Sequence, residues 1–342
     1  MRNSLYVIGL SFAIISCGSQ KSVQKSAVTP KPSPTKVTTP AKPQTPTRPN
    51  AVIKHEGQNE FFKVNLANAA NNDNTISYGS IVSANPQGYR VVKTYFPALA
   101  QNFRQKYIIL HYTALDDDKS VMVLTQQGVS AHYLVNDLGD RDIYQLVDEN
   151  KRSYHAGVSS WRTDKMLNDT SIGIEIVNSG YTTDSSGYRI FPDFDDEQIK
   201  KVAALVKDIA TRYMIPATNI LGHSDIAPTR KQDPGPKFPW KKLYDEYQIG
   251  MWYDEPVKQS FYSQIIPEEF GLQMTNAQFI FKYQTALKML GYGLEPSGTY
   301  DDATKKTIEA FQYHFRPANY DGVMDAETWA ILQALNQKYP AK

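Results

Sequence analysis

Histidine, carboxylate and lysine side chains stand in three separated segments of this sequence, in a combination that could carry out zinc-dependent hydrolysis. The five side chains are those of His111, Glu175, His223, Lys231 and Asp233. A catalytic zinc site needs three protein ligands, an open position for water, and a base that takes up the water's proton. The two histidines and the aspartate could supply the ligands, which leaves the glutamate and the lysine for the chemistry.

Spacing alone does not decide in favour of zinc. The chain has no His-Glu-x-x-His motif, so the ligands would have to come from distant segments. The spacing between His223 and Asp233 is only moderately specific, because Asp-Pro-Gly is also an ordinary turn sequence. Glu175 could equally be a surface glutamate of a strand, and Lys231 a surface lysine of a charged loop. The residue types therefore favour a zinc hydrolase without requiring one.

The N-terminal segment has the features of an exported lipoprotein. A charged start is followed by an apolar run over residues 5–15, which is typical of a secretory signal and too short to be a stable membrane span. The run ends in a segment that resembles a bacterial lipobox, and Cys17 at its end is the only cysteine of the chain. We therefore expect a signal peptide at residues 1–16 and lipidation of Cys17. Disulfides, thiolate zinc ligands and a cysteine nucleophile are excluded from the folded part.

Residues 17–54 are predicted to be a lipid anchor and a Pro-, Thr- and Lys-rich linker, because they contain too few apolar residues to offset the entropy cost of folding. The cationic side chains of residues 1–54 carry +8 in a chain of net charge +2, which leaves −6 on the remainder. An acidic folded part argues against nucleic acid as a partner. The basic linker and the anchor at Cys17 favour a membrane surface. We expect a monomer outside the cytoplasm, and Gly18 after the cysteine favours the outer membrane facing the periplasm.

The folded part begins with a predicted α/β domain over residues 55–250, including an N-terminal extension that carries little signal. The continuous apolar run of residues 107–110 predicts a buried strand that delivers His111 at its tip. Residues 171–177 alternate isoleucines with more polar positions, which predicts a strand with Glu175 on its polar face. A helix at residues 118–127, a hairpin over residues 131–147 and a core helix at residues 195–213 complete a mixed central sheet with flanking helices.

An internal repeat predicts a second, all-α domain of three helices at residues 276–340, after a connector at residues 251–275. Gly298 and Gly322 are each followed by an aspartate and a threonine at the same spacings, and then by apolar residues at helical spacing. Asp301 and Asp325 suit helix N-caps, and each glycine suits the turn before the helix. The pattern is typical of a small helical bundle.

Several segments resemble the zinc-dependent N-acetylmuramoyl-L-alanine amidases of the amidase-2 family, in particular the outer-membrane lipoprotein subgroup. The matching segments are residues 109–114, 131–135, 155–157, 168–175 and 222–236. The C-terminal repeat resembles the peptidoglycan-binding domain that follows the amidase domain in that subgroup. The resemblance implies a mixed sheet with flanking helices and one zinc ion per chain, with His111, His223 and Asp233 as its ligands.

The resemblance also implies a reaction, namely hydrolysis of the amide between N-acetylmuramic acid and L-alanine in peptidoglycan or its fragments, in cell-wall turnover or recycling. Glu175 would take the proton of a zinc-activated water and pass it to the leaving nitrogen, and Lys231 would stabilise the oxyanion. His155 matches a family segment at the wall of the groove, and Trp161 could stack on a sugar face. We therefore expect both to bind substrate or line the groove, with a structural role as the alternative for His155 and packing as the commoner role of an aromatic residue such as Trp161 near a site.

Two other functions are compatible with the sequence. One is a non-catalytic peptidoglycan-binding or recognition lipoprotein, although such relatives typically lose a zinc ligand. The other is a zinc peptidase that acts on the stem peptide. Ser297 replaces an acidic residue that is usual in the repeat, so glycan binding by the C-terminal domain stays open, as do the preference for intact or 1,6-anhydro muramic acid and the stem-peptide specificity. His132 is expected to be a hydrogen-bonded core residue, and His314 carries no signal.

Overall fold

A computed structural model describes residues 86–91 and 100–341, together with the backbone of two short paired strands, β1 (Ile53–Glu56) and β2 (Asn59–Phe62). The predicted signal peptide, Cys17, the linker up to residue 52 and much of the predicted N-terminal extension lie outside the described residues. Within the described ranges, no helix combines the length and the apolar character that crossing a membrane would need.

A five-stranded mixed sheet forms the centre of the first part of the fold. In chain order its strands are β3 (Tyr107–Tyr112), β4 (Tyr133–Val135), β5 (Ile143–Gln145), β8 (Ser171–Ile176) and β11 (Ile220–Gly222). Two small hairpins lie between them, formed by β6 (Ser160–Trp161) with β7 (Asp164–Lys165) and by β9 (Thr182–Thr183) with β10 (Arg189–Ile190). The helices of this part are α1 (Asp117–Gln126), α2 (Asp196–Tyr213), α3 (His223–Ile226) and α4 (Trp240–Tyr247).

The order of the strands brings the predicted chemical residues to one edge of the sheet. The order is β11-β3-β8-β4-β5, in which the first four strands are parallel and β5 is an antiparallel edge. Residues 107–110 of β3 are buried, as their apolar run predicts. Because β3 and β8 are parallel and in register, His111 lies directly opposite Glu175. The predicted strand, hairpin and helix positions are confirmed, and the side chain of Asp195 caps the N-terminus of α2.

The C-terminal part is helical. Its elements are α5 (Glu255–Tyr262) and α6 (Pro267–Gln273) in the predicted connector, then α7 (Ala277–Leu290), α8 (Asp302–Phe315) and α9 (Ala326–Lys338). The predicted caps are confirmed, since the side chains of Asp301 and Asp325 accept hydrogen bonds from the backbone N–H groups three residues later. We refer to residues 276–340, which contain α7, α8 and α9, as the C-terminal module.

The C-terminal module packs directly on the first part of the fold. The backbone N–H of Arg162 donates to the carbonyl of Gly291 over 2.7 Å, beside an isolated β-bridge between Trp161 and Tyr292. A Cβ atom at Gly291 would lie 2.4 Å from the Trp161 ring, so only glycine allows this approach. Most buried apolar residues of the two parts belong to one contiguous cluster that includes residues from both. The module is therefore part of the same folded body as the sheet.

Candidate active site

Three predicted metal ligands converge at the carboxyl edge of the sheet. The Nδ1 atoms of His111 and His223 lie 3.0 Å apart, and each lies 2.9 Å from Oδ2 of Asp233. All three side chains are buried. Their ligand atoms lie within 4.8 Å of one another, which is the spacing of groups that can share a metal ion.

Local backbone structure places each of these side chains. His111 lies near the end of β3, and His223 begins α3 immediately after β11. Asp233 follows in the next loop, where its carbonyl accepts a hydrogen bond from the backbone N–H of Ser224 over 2.8 Å. A Cβ atom at Gly222 would lie 2.6 Å from Cδ of Pro234, so the residue before His223 must be glycine for the loop to pack this closely.

Hydrogen bonds to neighbouring groups fix the tautomers of the two ligand histidines, His111 and His223. The Ser171 hydroxyl donates to the Leu167 carbonyl over 2.5 Å, so its oxygen accepts from Nε2–H of His155 over 3.0 Å. Nδ1 of His155 is then an acceptor, and it receives Nε2–H of His111 over 2.9 Å. His223 donates Nε2–H to the carbonyl of Ala156 over 3.1 Å. Both ligand histidines are therefore left with an Nδ1 lone pair that faces the centre of the site.

This arrangement fits a zinc ion. Two imidazole nitrogens and one carboxylate oxygen form a ligand set that zinc accepts, and three facing acceptor atoms about 3 Å apart repel each other unless a cation lies between them. Burial and the neighbouring His223 lower the pKa of His111 to about 4, against the opposing effect of Asp233. The ring is therefore neutral near pH 7, which is the form that binds metals.

Glu175 and Lys231 line the same cleft as the three ligands. The cleft has a volume of about 320 Å³. Burial raises the pKa of Glu175 well above its ordinary value, and the charge of Asp233 adds to the rise while Lys231 opposes it. Within the described part of the chain, Oε2 of Glu175 is buried without a hydrogen-bonding partner. A buried acceptor without a partner in a cleft is free to receive a proton from a bound molecule.

The expectation that Trp161 binds substrate is wrong. Its side chain is fully buried, its ring packs edge-on against Tyr292 at 5.1 Å, and its Nε1–H donates to the carbonyl of Thr218. A ring without solvent-exposed surface cannot stack on a sugar. Trp161 instead contacts the C-terminal module, which sequence reasoning did not connect with this loop.

His155 lies at the wall of the cleft, as expected, and its ring also has a structural role. The ring lines the cleft, but it is 8% exposed and both of its nitrogens are engaged, by His111 and by Ser171. His155 therefore orients a metal ligand. His132 is a buried, hydrogen-bonded core residue, as predicted, because its ring nitrogens bond Ser153, the N–H of Gly173 and the carbonyl of Lys151.

Sequence reasoning missed one buried polar group next to the site. Asp225, inside α3, binds His314 and Tyr292 of the C-terminal module. His314 lies 89 residues after Asp225 in the chain, on the far side of the connector, and a single histidine in a helical pattern gives no signal by itself. Only the docking of the two parts brings these residues together.

Comparison with known proteins agrees with this geometry. Residues 101–236 match the N-acetylmuramoyl-L-alanine amidase family, and residues 276–332 match a family described as a putative peptidoglycan-binding domain. The N-acetylmuramoyl-L-alanine amidase AmiD of Escherichia coli (strain K12) is 40% identical over 258 residues, which cover 74% of this chain and 90% of that protein.

Two solved structures are similar over most of the fold. A complex of Escherichia coli AmiD with the substrate anhydro-N-acetylmuramic acid-L-Ala-D-gamma-Glu-L-Lys superposes with a TM-score of 0.68 at 39% identity, covering 75% of this chain and 98% of that one. AmpDh3 of Pseudomonas aeruginosa in complex with anhydromuramic pentapeptide gives a TM-score of 0.62 at 41% identity, covering 76% of this chain and all of that one. With its buried His111, His223 and Asp233 site, the chain therefore belongs to the zinc-type N-acetylmuramoyl-L-alanine amidases.

Proposed function

We propose that this amidase hydrolyses the bond between the lactyl carbonyl of muramic acid and L-alanine in anhydromuropeptides, with Glu175 as general base and acid and Lys231 as oxyanion stabiliser. The observation that carries the proposal is the register of β3 and β8. It sets Glu175, with its unpartnered buried oxygen, directly beside the ligand His111. Neighbouring parallel strands lie about 4.8 Å apart, so base and ligand serve the same small volume.

His111, His223 and Asp233 would hold the zinc ion, which when bound supplies Lewis-acid polarisation of a carbonyl and lowers the pKa of a water. The role of the protein is to keep these ligands in place and in the right tautomer. His155, Ser171 and the Ala156 carbonyl do this through the hydrogen bonds to the outer ring nitrogens.

Glu175 is suited to move a proton twice. Burial raises the pKa of Glu175 well above its ordinary value, which makes its carboxylate a stronger acceptor for a proton from water, and the protonated carboxyl group can then give the proton up. The proton passes to the leaving nitrogen of L-alanine as the amide bond breaks. A side chain on a strand, rather than on a loop, keeps the carboxylate in one position through both transfers.

Lys231 can act on the carbonyl oxygen. It is half-buried, it lines the cleft with Glu175, and it stands two residues before Asp233 on the same loop. An ammonium group next to the position where negative charge develops stabilises the transition state more than the ground state. The lysine is therefore assigned to the developing oxyanion.

The substrate class follows from the relatives. AmiD forms a complex with the substrate anhydro-N-acetylmuramic acid-L-Ala-D-gamma-Glu-L-Lys, and AmpDh3 forms a complex with anhydromuramic pentapeptide. The similarity of this chain to both over about three quarters of its length supports anhydromuropeptides as substrates here. The match of the C-terminal module to a peptidoglycan-binding family supports peptidoglycan as the material on which the enzyme works.

The site of action is outside the cytoplasm, where peptidoglycan lies. We propose further that Cys17 carries a lipid anchor in the outer membrane and that the linker lets the enzyme reach the cell wall from the periplasmic side. The lipobox-like segment before Cys17 and the basic composition of the linker support this proposal.

Product analysis tests the reaction. The full chain is incubated with purified sacculi and, separately, with an anhydromuramyl tetrapeptide, and the products are identified by mass spectrometry. We expect free stem peptide beginning with L-alanine and a peptide-free muramic acid, with release stopped by a chelator and restored by zinc. Binding to sacculi without release would indicate a recognition protein, and cleavage inside the stem peptide would indicate a peptidase.

A further inference from the structure

A buried carboxylate, that of Asp225, connects the metal centre with the C-terminal module. The side chain is 1% exposed and accepts three hydrogen bonds. The donors are the N–H of Gly222 over 2.8 Å, the hydroxyl of Tyr292 over 2.7 Å and Nδ1–H of His314 over 2.8 Å. One donor belongs to the first part of the fold, which contains the five-stranded sheet and which we call the sheet domain. The other two donors belong to the C-terminal module.

The position of Asp225 couples it to two zinc ligands. Its bond to the N–H of Gly222 closes the turn in which α3 begins, and His223 is the first residue of that helix. The next residue, Ser224, donates its N–H to the carbonyl of Asp233. A displacement of the Asp225 carboxylate would therefore shift the backbone that carries one ligand and touches the other.

The two donors from the module are themselves held rigidly. The ring of His314 stacks on Trp240, with the ring centres 3.9 Å apart and the planes inclined by 14°. The ring of Tyr292 packs against Trp161, in the segment where the module joins the sheet domain by a β-bridge. Neither donor can follow Asp225 if it moves, so together they fix the carboxylate at one point.

Without the module, Asp225 would retain one of its three donors. A buried ionised carboxylate that lacks hydrogen bonds is costly, and it relaxes by turning toward water. Such a rotation would break the cap of α3 and loosen His223. The catalytic domain by itself thus lacks two of the groups that hold its own metal-ligand helix.

We propose that the C-terminal module is a structural part of the metal centre, in which Tyr292 and His314 act through Asp225 as positioning residues for the ligand His223. This role is separate from any binding of glycan by the module. It is also independent of the catalytic roles proposed for Glu175 and Lys231, because it concerns metal binding and not turnover.

The test is zinc affinity and metal spectroscopy on the full chain. The variants are Tyr292→Phe, which removes one oxygen, and Tyr292→Phe combined with His314→Phe, which keeps the ring stacking and removes both donors. Zinc dissociation constants are measured by competition with a chromogenic chelator, and the site is loaded with Co²⁺ to record its visible absorption bands. We expect the double variant to bind zinc about tenfold more weakly than the unmodified chain and to show altered Co²⁺ bands. Tenfold is the lower end of the loss in metal affinity seen when a group that supports a metal ligand is removed.

Two control variants separate this role from general loosening of the module. Tyr300→Phe removes a tyrosine hydroxyl that donates to the carbonyl of Gly322 inside the module. Glu309→Gln weakens a contact between the module and Arg189 that does not reach Asp225. We expect both to keep the zinc affinity and the Co²⁺ spectrum of the unmodified chain, even if they lower the unfolding temperature.

If the double variant does not fold, the single variant Tyr292→Phe still tests the proposal. Tyr292→Phe alone should weaken zinc binding measurably more than Tyr300→Phe. Equal zinc affinities and identical Co²⁺ bands in a folded Tyr292→Phe variant, in the double variant and in the controls would overturn the proposal. A loss of affinity of the same size in the controls would overturn it as well, because it would show a nonspecific effect.

Discussion

The two histidine ligands of the metal centre are held by different parts of the molecule. His111 is supported from inside the sheet domain, where its Nε2–H bonds His155, which in turn bonds Ser171 of the neighbouring strand. His223 is supported at its ring by the Ala156 carbonyl, but the turn that carries it is tied to the C-terminal module through Asp225.

The difference shows that domain boundaries drawn from sequence need not coincide with the boundaries of a site. The groups that support His111, which we call the His111 side, all belong to the sheet domain, so the position of His111 depends on packing within that domain. The groups that support His223, which we call the His223 side, include the docked C-terminal module. The position of His223 therefore depends on the interface between the module and the sheet domain. Changes on the two sides should therefore have different signatures, and these can be measured.

The largest effect is expected from His155→Ala, because it removes the group that directly orients His111. We expect zinc affinity to fall about 10- to 100-fold, which is the range for the loss of a partner of a ligand histidine. Ser171→Ala serves as the milder companion, since it leaves the His155 ring in place and removes the hydroxyl that bonds both this ring and the Leu167 carbonyl. Zinc competition titration provides the measurement. A zinc affinity of His155→Ala within about twofold of the original would refute the role of His155.

A second way to disturb the His111 side is Gly173→Ala. A Cβ atom there would lie 2.4 Å from Cγ of His155, next to the backbone of that residue, so the whole ring must shift. We expect a loss of about 1–3 kcal/mol in the free energy of unfolding, as in other overpacked cores, together with weaker zinc binding.

The matched control for this change is Gly128→Ala, because a Cβ atom at Gly128 would have nothing within 4 Å. We expect this control to change the free energy of unfolding by less than about 0.5 kcal/mol. Denaturant unfolding of both variants, with and without zinc, makes the comparison. Equal stability of the two variants would contradict the packing argument.

The smallest effect is expected at a cluster that supports neither ligand. Glu149 accepts hydrogen bonds from both terminal nitrogens of Arg212 over 2.6 Å, and from the hydroxyl groups of Tyr133 and Tyr213. These bonds outweigh the effect of burial and lower the pKa of Glu149 to about 2. A lowered pKa means that the stabilisation is complete above the unfolded value of about 4.3 and is lost as the pH falls toward 2.

We therefore expect Glu149→Gln to lower the free energy of unfolding near pH 7 by about 1–2 kcal/mol, after allowance for the exposure of Arg212. The deficit should shrink near pH 3, and zinc affinity should not change. Denaturant titrations at the two pH values supply the measurement. A deficit that stays constant with pH would contradict the assigned ionisation, and a loss of zinc affinity would show that this cluster is coupled to the metal centre.

The strands and helices that carry the site could be predicted because their signals are local. The apolar run before His111 and the isoleucine alternation around Glu175 both predict strands, and both strands are present. The register that sets these two residues side by side could not be derived in the same way, because no short-range pattern fixes how two parallel strands pair across a long connection.

The errors have a common cause in the docking of the module. Trp161 stands in a loop near site segments and has the chemistry of a sugar-binding residue, but Tyr292 covers it. His314 lies in the last turn of α8 without any periodic signal of function, yet its partner is Asp225, two residues after a zinc ligand. Contacts of this kind join residues that are far apart in sequence, so neither spacing nor composition records them.

The most direct test of the catalytic assignment is the turnover of Glu175→Gln with its zinc content measured in the same preparation. We expect one zinc ion per chain, as in the unmodified enzyme, and a fall in kcat on an anhydromuropeptide of about 10²- to 10⁴-fold, because the amide cannot accept the proton of water. Near-normal turnover with zinc still bound would contradict the account, since the base would then have to be another group.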